Sequence, residues 1–283
     1  MLVCLVLYLS FLESLMIFEE HLFFRKFSSI FDRVFFEQET GSTNDDIKSL
    51  IKHSSNSLTC FKAVERQSSG RGTHGKKWEN AEKSMLFTVG VPLVKAVSMY
   101  QGVTLCIGFE LVKVLQKHDI GAQLKWPNDL WYKQGKLGGI LVEVAHSQDR
   151  TPHLIVGVGI NLSRHPMRQE NASGYAASDL TDSYELLDGN ALLIDFACAI
   201  KRCIETFDES SLEILRLKWK DIDCFYKQSV SYTPVKGDAL TVVNEGIDQL
   251  GRLRLRKGDT TLCVLDGVIR PMEKDREDDS FGC

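Results

Sequence analysis

Two stretches of this chain set a cation among residues that let a ligand come close. The first, Gly70-Arg71-Gly72-Thr73-His74-Gly75, places three glycines in six residues. Glycines admit a ligand to the backbone and allow successive N–H groups to converge on an anion. Arg71 adds a planar guanidinium that suits phosphate or carboxylate. The composition is equally that of a surface turn. The loop lacks the Gly-Lys-Ser/Thr ending of a P-loop and the glycine spacing of a dinucleotide fingerprint. The second stretch is Lys125-Trp126-Pro127-Asn128-Asp129. A lysine ending a strand beside a Trp-Pro pair is held rigidly, and a fixed cation can neutralise a phosphoryl group as charge develops. The alternative is a solvated lysine before a Pro-Asn turn. Two apolar runs complete the set: Gly138-Gly139-Ile140-Leu141-Val142-Glu143, with Lys136 just before it, and Val156 to Leu162, with Gly157 and Gly159. Glycines within strands mark either a close-lying ligand or tight sheet packing.

These residues need elements to hold them. Arg33 to Gln38 reads as a strand and Asp45 to His53 as a helix, for which Ser42, Thr43 or Asn44 would be good N-caps. Strands are expected at Leu58–Arg66, Met85–Val91, Ala122–Trp126, Gly138–Ala145 and His153–Leu162. Apolar residues at helical spacing predict helices over Met99–His118 and Leu192–Phe207. Pro127-Asn128-Asp129 and Lys133-Gln134-Gly135 read as turns. Beyond Lys227, short β-like runs at Ser229–Thr233, Ala239–Val243, Leu250–Leu255 and Thr261–Leu265 alternate with glycines, the pattern of a small β-barrel or sandwich.

The 283 residues, 43% hydrophobic and 25% charged, suffice for one or two globular domains. A formal charge of -4 gives no basic footprint for nucleic acid. The eight cysteines form no Cys-x-x-Cys pair and no zinc-finger spacing, so free thiols in a reducing cytoplasm are expected. Met1 to Leu12 is apolar, yet it lacks a basic start and a cleavage site and is short for a membrane span. Translation from Met16, a surface helix and, last, an anchor are the readings of it; no membrane association is expected.

Taken together and in order, the motifs resemble the biotin protein ligase family. Ser42-Thr43-Asn44 looks like its Ser-Thr-Asn turn and Gln67 to Trp78 like its GRGxxGxxW loop. Lys125 to Asp129 matches its KWPND segment, Lys136 to Glu143 its KLxGILVE strand, and Val156 to Asn161 its GxGIN strand. The resemblance implies an α+β fold, a mixed β-sheet with flanking helices and a small C-terminal SH3-like β-barrel. It divides the chain into a leader (1–30), a catalytic domain (31–226), a C-terminal β domain (227–273) and a charged tail (274–283).

It also implies activation of biotin by ATP, with Mg²⁺ arriving on ATP as co-substrate, and transfer of biotin to a lysine of a biotin carboxyl carrier protein. Lys125 and Arg71 are the implied catalytic residues. Ser42, Thr43, Asn44, Gln67, Arg71, Gly72, Thr73, Lys125, Gly138 and Gly139 would hold biotin; Gly70, Arg71, Trp78, Lys125 and Asn161 would hold ATP. No protein ligand to a metal is assigned. The glycine loop Gly70–Trp78 is expected to order only over bound ligand. Thr73 stands where many members carry a second arginine, which predicts looser retention of the adenylate. With few residues before the Ser-Thr-Asn turn, a DNA-binding repressor role is not expected. A lipoate or octanoate ligase or transferase and a non-catalytic biotin-binding module are the rival readings. The oligomeric state is open, a homodimer among the options.

Overall fold

Alternation of apolar side chains with period two, and glycines where a face must stay open, build the central sheet. In the computed structural model, residues 20–55, 57–163, 176–184 and 187–272 are described; the apolar start Met1–Leu12 and the tail from Lys274 lie outside them. The strands are β1 (Arg33–Thr40), β2 (Cys60–Gln67), β3 (Lys83–Pro92), β4 (Gln123–Lys125), β5 (Asp129–Tyr132), β6 (Gly135–His146) and β7 (Pro152–Ser163). Their order is β1-β2-β3-β7-β6-β5-β4. Only β1 and β2 pair in parallel; the other pairs are antiparallel, so the sheet is mixed. β3 and β7 are buried along almost their whole length, as central strands covered on both faces must be.

The first described helix, α1 (Glu20–Ser28), precedes β1, and α2 (Thr43–Lys52) follows it. The hydroxyl of Ser42 caps α2 by accepting from the Asp45 N–H at 3.5 Å. Ile47 and Ile51 bury against one face of the sheet, with Cys60, Ala145 and Ile155. The other face is covered by α3 (Val103–Lys117) and, after the one-turn α4 (Thr181–Tyr184), by α5 (Gly189–Thr206). Phe27 of α1 is fully buried against Phe31, Phe36 and Phe61. The helix α1, placed in the leader by the sequence reading, thus packs its Phe27 against the start of the sheet.

Three elements escape the sequence pattern. β5 begins at Asp129, the last residue of the expected turn Pro127-Asn128-Asp129, and runs through Leu130–Tyr132, where no strand was expected. The helix α6 (Glu209–Ile222) is amphipathic through Leu212, Leu215, Trp219 and Ile222. Exposed Ile214 and Leu217 fall between those positions and blur the period. A last strand, β12 (Val268–Pro271), completes the C-terminal sheet with β8 (Ser229–Thr233), β9 (Leu240–Ile247), β10 (Leu253–Lys257) and β11 (Thr260–Val264). Its order is β11-β10-β9-β8-β12, antiparallel throughout.

This small sheet is bonded to the strand end that carries Lys125. The Trp126 indole N–H donates to Gly251 O at 3.2 Å, and the Cys224 N–H to Leu124 O at 3.1 Å. Between them Asp223, 4% exposed, accepts from Trp219 Nε1 at 2.7 Å and Asn244 Nδ2 at 2.8 Å. Gly251 has φ +74°, and a Cβ there would lie 2.9 Å from Leu105, so only glycine satisfies both the turn and the close approach.

Candidate active site

Register decides what faces the cleft. Directly paired residues of neighbouring strands share a face of the sheet. Gly139 pairs with Gly159, which pairs with Leu86; Leu141 pairs with Gly157, which pairs with Thr88. These rows lie on the α2 face. Glycines at 139, 157 and 159 keep side chains out of it, so a cleft opens where helix and sheet would otherwise touch. A Cβ at Gly157 would sit 2.4 Å from Asn44 Oδ1, and one at Gly159 2.6 Å from the Trp78 ring. Neither distance is sterically possible without movement. The cleft encloses about 510 Å³ including its open mouth.

One end is polar. The Thr43 N–H donates to Gln67 Oε1 at 2.8 Å, and the Thr43 hydroxyl lies 3.1 Å from the same oxygen. Asn44 gives its amide to Glu143 Oε2 at 2.8 Å. All three residues line the cleft, as do Ser42, Arg71, Gly72, Thr73, Trp78 and Gly139. Nine of the residues expected from sequence thus meet in one place. Arg71, half-exposed, is paired with Asp45 of α2 and lies 3.5 Å from Glu143. Burial alone would raise the Glu143 pKa; hydrogen bonds from Lys48 and Asn44, and the charges of Lys48 and Arg71, hold it below the usual value.

The glycine loop is folded on itself. Its backbone closes through Gly72 N–H to Lys76 O at 2.7 Å and Trp78 N–H to Gly70 O at 2.9 Å, around a 3₁₀ turn at Thr73–Gly75. This hairpin-like closure satisfies part of the loop's own backbone hydrogen bonding.

Four expected residues do not line the cleft. Gly138 neighbours Gly139 along the strand, so alternation turns it to the opposite face, where a Cβ would meet Gly159 O at 2.5 Å. Gly70 packs beneath Gln67 and Trp78 instead. Asn161 is buried, and its amide donates to Ser178 O at 2.9 Å, which ties β7 to the segment before α4. Lys125, with a side chain 3% exposed, donates to Asp129 Oδ2 at 2.9 Å beneath the cleft.

Beside Arg71, the second cation lining the cleft is Lys136, whose side chain is 31% exposed. Its Nζ lies 2.6 Å from Asp129 Oδ1 and 5.9 Å from the centre of the Trp78 ring. Asp129 thus sits between two ammonium groups. Burial opposes its ionisation, but the charges and hydrogen bonds of Lys125 and Lys136 overcome that and hold it well below the carboxylate range. One carboxylate against two ammoniums leaves one positive charge, and Lys136 is the member that lines the cleft. From sequence, Lys125 is the expected catalytic lysine and Lys136 carries no role; the strand turn at 127–128 that puts one under the other is tertiary information. Asn128, Ile140, Leu141 and Val158 also line the cleft and were not foreseen. Asn128 is pinned by Ile140, donating to its carbonyl at 2.8 Å and accepting its N–H at 3.0 Å.

Among the described residues, no group of three or more His, Cys, Asp or Glu is placed to hold a metal ion, and no helix is long and apolar enough to cross a membrane. Cys60, Cys106, Cys198, Cys203, Cys224 and Cys263 are free thiols.

A mixed sheet whose strand glycines open a cleft, with amides and hydroxyls at one end and a paired ammonium at the other, defines a domain for small ligands with a polar head and an anionic end. The sequence model of the Biotin/lipoate A/B protein ligase family matches residues 36–161. The chain is 30% identical over 213 residues to the bifunctional ligase/repressor BirA of Salmonella typhimurium, covering 74% of this chain and 62% of that protein. It is 32% identical over 134 residues to the biotin–[acetyl-CoA-carboxylase] ligase of Mycobacterium tuberculosis, covering 45% of this chain and 48% of that one. The chain thus spans less than two thirds of the length of either relative. In fold it matches the biotin protein ligase of Aquifex aeolicus solved with biotin and ATP: TM-score 0.67, 23% identity, 85% of this chain and 98% of that one.

Proposed function

We propose that this protein activates biotin with ATP to biotinyl-5′-AMP and transfers the biotinyl group to a lysine of a biotin carboxyl carrier protein. The observation that carries the reading is the cleft: Ser42, Thr43, Asn44 and Gln67 at its polar end, glycines 139, 157 and 159 along its floor, Trp78 over them, and Lys136 beside them. A ureido ring needs both donors and acceptors when buried, and the polar end offers both. An apolar ring and chain suit a glycine floor under an indole. The relatives' names point the same way, to ligation of biotin.

In the first half-reaction a carboxylate oxygen of biotin bonds to the α-phosphorus of ATP as the bond to pyrophosphate breaks. Mg²⁺ enters with ATP as part of that substrate. Two anions must approach, so position and charge neutralisation are the main demands. Lys136 meets the second with the charge left over from its pairing with Asp129. In the second half-reaction the carrier's ε-amine attacks the acyl carbonyl, AMP departs and the amine gives up a proton. Trp78 Nε1 is buried and has no hydrogen-bond partner among the described residues. A bound ligand in the cleft it lines would relieve that cost, and such an orphaned atom favours a site built for one. Thr73 offers a hydroxyl where a second guanidinium would grip the adenylate, so the intermediate is expected to leave more readily.

The test is incubation with biotin, MgATP and a purified carrier domain. Pyrophosphate release that depends on biotin, together with a carrier mass increased by one biotinyl group, is the expected result. Release driven by lipoate or octanoate instead would move the assignment to that neighbouring reaction. Biotin binding with no pyrophosphate would reduce it to a binding module.

A further inference from the structure

We propose that Thr88 and Glu143 are positioning residues that set ligand specificity, by fixing which way the side-chain amide of Asn44 points. The inference rests on the proposed biotin site and names two residues outside its lining.

Thr88 is a fully buried hydroxyl in the otherwise apolar centre of β3, flanked by Phe87 and Val89. Packing alone would favour valine there, since a buried hydroxyl is costly unless bonded. Its Oγ1 lies 2.7 Å from Asn44 Oδ1 and 2.8 Å from Thr43 Oγ1. Glu143 lies on the same face of β6 and takes the Asn44 amide at 2.8 Å and Lys48 Nζ at 2.8 Å.

The donors and acceptors allow one arrangement. An ionised carboxylate only accepts, so Asn44 must turn its NH₂ to Glu143 and its oxygen to Thr88. Thr88 then donates its single proton to Asn44 Oδ1. The Thr43 N–H only donates, so Gln67 must turn Oε1 toward it. That leaves Gln67 Nε2 as the donor end, beside Gly70. The Thr43 hydroxyl joins the two halves, within reach of both Thr88 Oγ1 and Gln67 Oε1. Asn44 is also wedged from below, because Gly157 leaves it no more than the space of a hydrogen. The polar end thus carries a fixed order of donors and acceptors, set at Asn44 by a buried threonine and a carboxylate outside the lining and at Gln67 by the Thr43 N–H. Remove either anchor and an amide can rotate half a turn, which puts a donor where the ligand offers a donor.

Biotin affinity by calorimetry and biotin-dependent pyrophosphate exchange would be measured on the full chain and on Thr88→Val, Thr88→Ser and Glu143→Gln. Val keeps the shape and deletes the hydroxyl; Gln keeps the shape and lets the amides turn. Thr88→Val and Glu143→Gln should each raise Kd and KM for biotin about tenfold or more, with kcat at saturating biotin within about twofold because the reacting end is untouched. Thr88→Ser should restore affinity near wild type. Wild-type affinity in both Thr88→Val and Glu143→Gln would overturn the assignment, as would a Thr88→Ser loss equal to that of Thr88→Val, which would mark packing rather than the hydroxyl. Wild-type protein that fails to bind biotin would overturn the proposed function along with it; binding by the wild type with unchanged variants overturns this inference alone.

Discussion

Replacing each lysine of the Lys125–Asp129–Lys136 triad by methionine should produce opposite phenotypes. Methionine keeps most of the stem and deletes the charge. Lys125 is 3% exposed at its side chain and its ammonium is 2.9 Å from Asp129. Breaking a buried pair costs about 3–5 kcal/mol. Asp129 keeps Lys136 at 2.6 Å, so Lys125→Met belongs at the lower end, about 3 kcal/mol. Against a total stability of about 5–15 kcal/mol that is a large loss, and it lowers Tm by about 6–12 °C in a chain of this size. Adenylate formation below that temperature should stay within about tenfold of wild type. Lys136 is 31% exposed at its side chain, so its removal costs little stability. It deletes the charge facing the carboxylate and phosphate, and loss of one such group lowers kcat by about 10²–10³-fold. Thermal unfolding and biotin-dependent pyrophosphate exchange read the two effects separately. The pH dependence carries a sign as well. Because the pKa of Asp129 is depressed in the fold, its contribution to stability is present above the ordinary carboxylate pKa of about 4 and fades as pH falls through the lower folded value. The triad is therefore intact across the neutral range. A Lys125→Met variant with unchanged Tm and exchange lost more than a hundredfold, beside an active Lys136→Met, would refute the reasoning.

Two further expectations concern the floor of the cleft and a buried histidine of β7. Gly157→Ala drives a Cβ into Asn44 and should weaken biotin binding about tenfold or more, whereas Gly121→Ala, with nothing within 4 Å, should bind as wild type; equal affinities by calorimetry would show the floor is not what admits the ligand. His153 is fully buried on β7 and burial lowers its pKa, against the opposing pull of Thr151 O at 3.0 Å and of Asp149. The unfolded chain then binds the proton more readily, so stability should fall as pH drops through about 6.5 toward the lower folded value. Urea midpoints at pH 7.5 and 5.5 should differ less in His153→Gln, and an identical difference would remove His153 as the cause.

Much of the molecule was legible in one dimension because its causes are local. Period-two runs marked β2, β3, β6 and β7, and period-3.6 runs marked α3 and α5, since each buries one face or both against a single neighbour layer. The Ser42 cap and the glycine loop are likewise local features. The ordered set of motifs was enough to expect a biotin ligase-like α+β domain. Which residues of those motifs face a ligand was not legible. Gly138 and Gly139 are adjacent in the chain, and only the pairing of β6 with β7 decides that 139 opens the cleft while 138 packs behind it. Lys125 and Lys136 are both basic residues near turns; the hairpin of β5 and β6 lowers one beneath Asp129 and lifts the other to the surface. Thr88 reads as one more β-branched residue in a buried strand until α2 brings Thr43 and Asn44 over it. Composition and spacing determine which elements form, because those energies come from neighbours in the chain. The direction of a side chain and its share of a buried charge come from residues far away in sequence, so only the folded arrangement decides them.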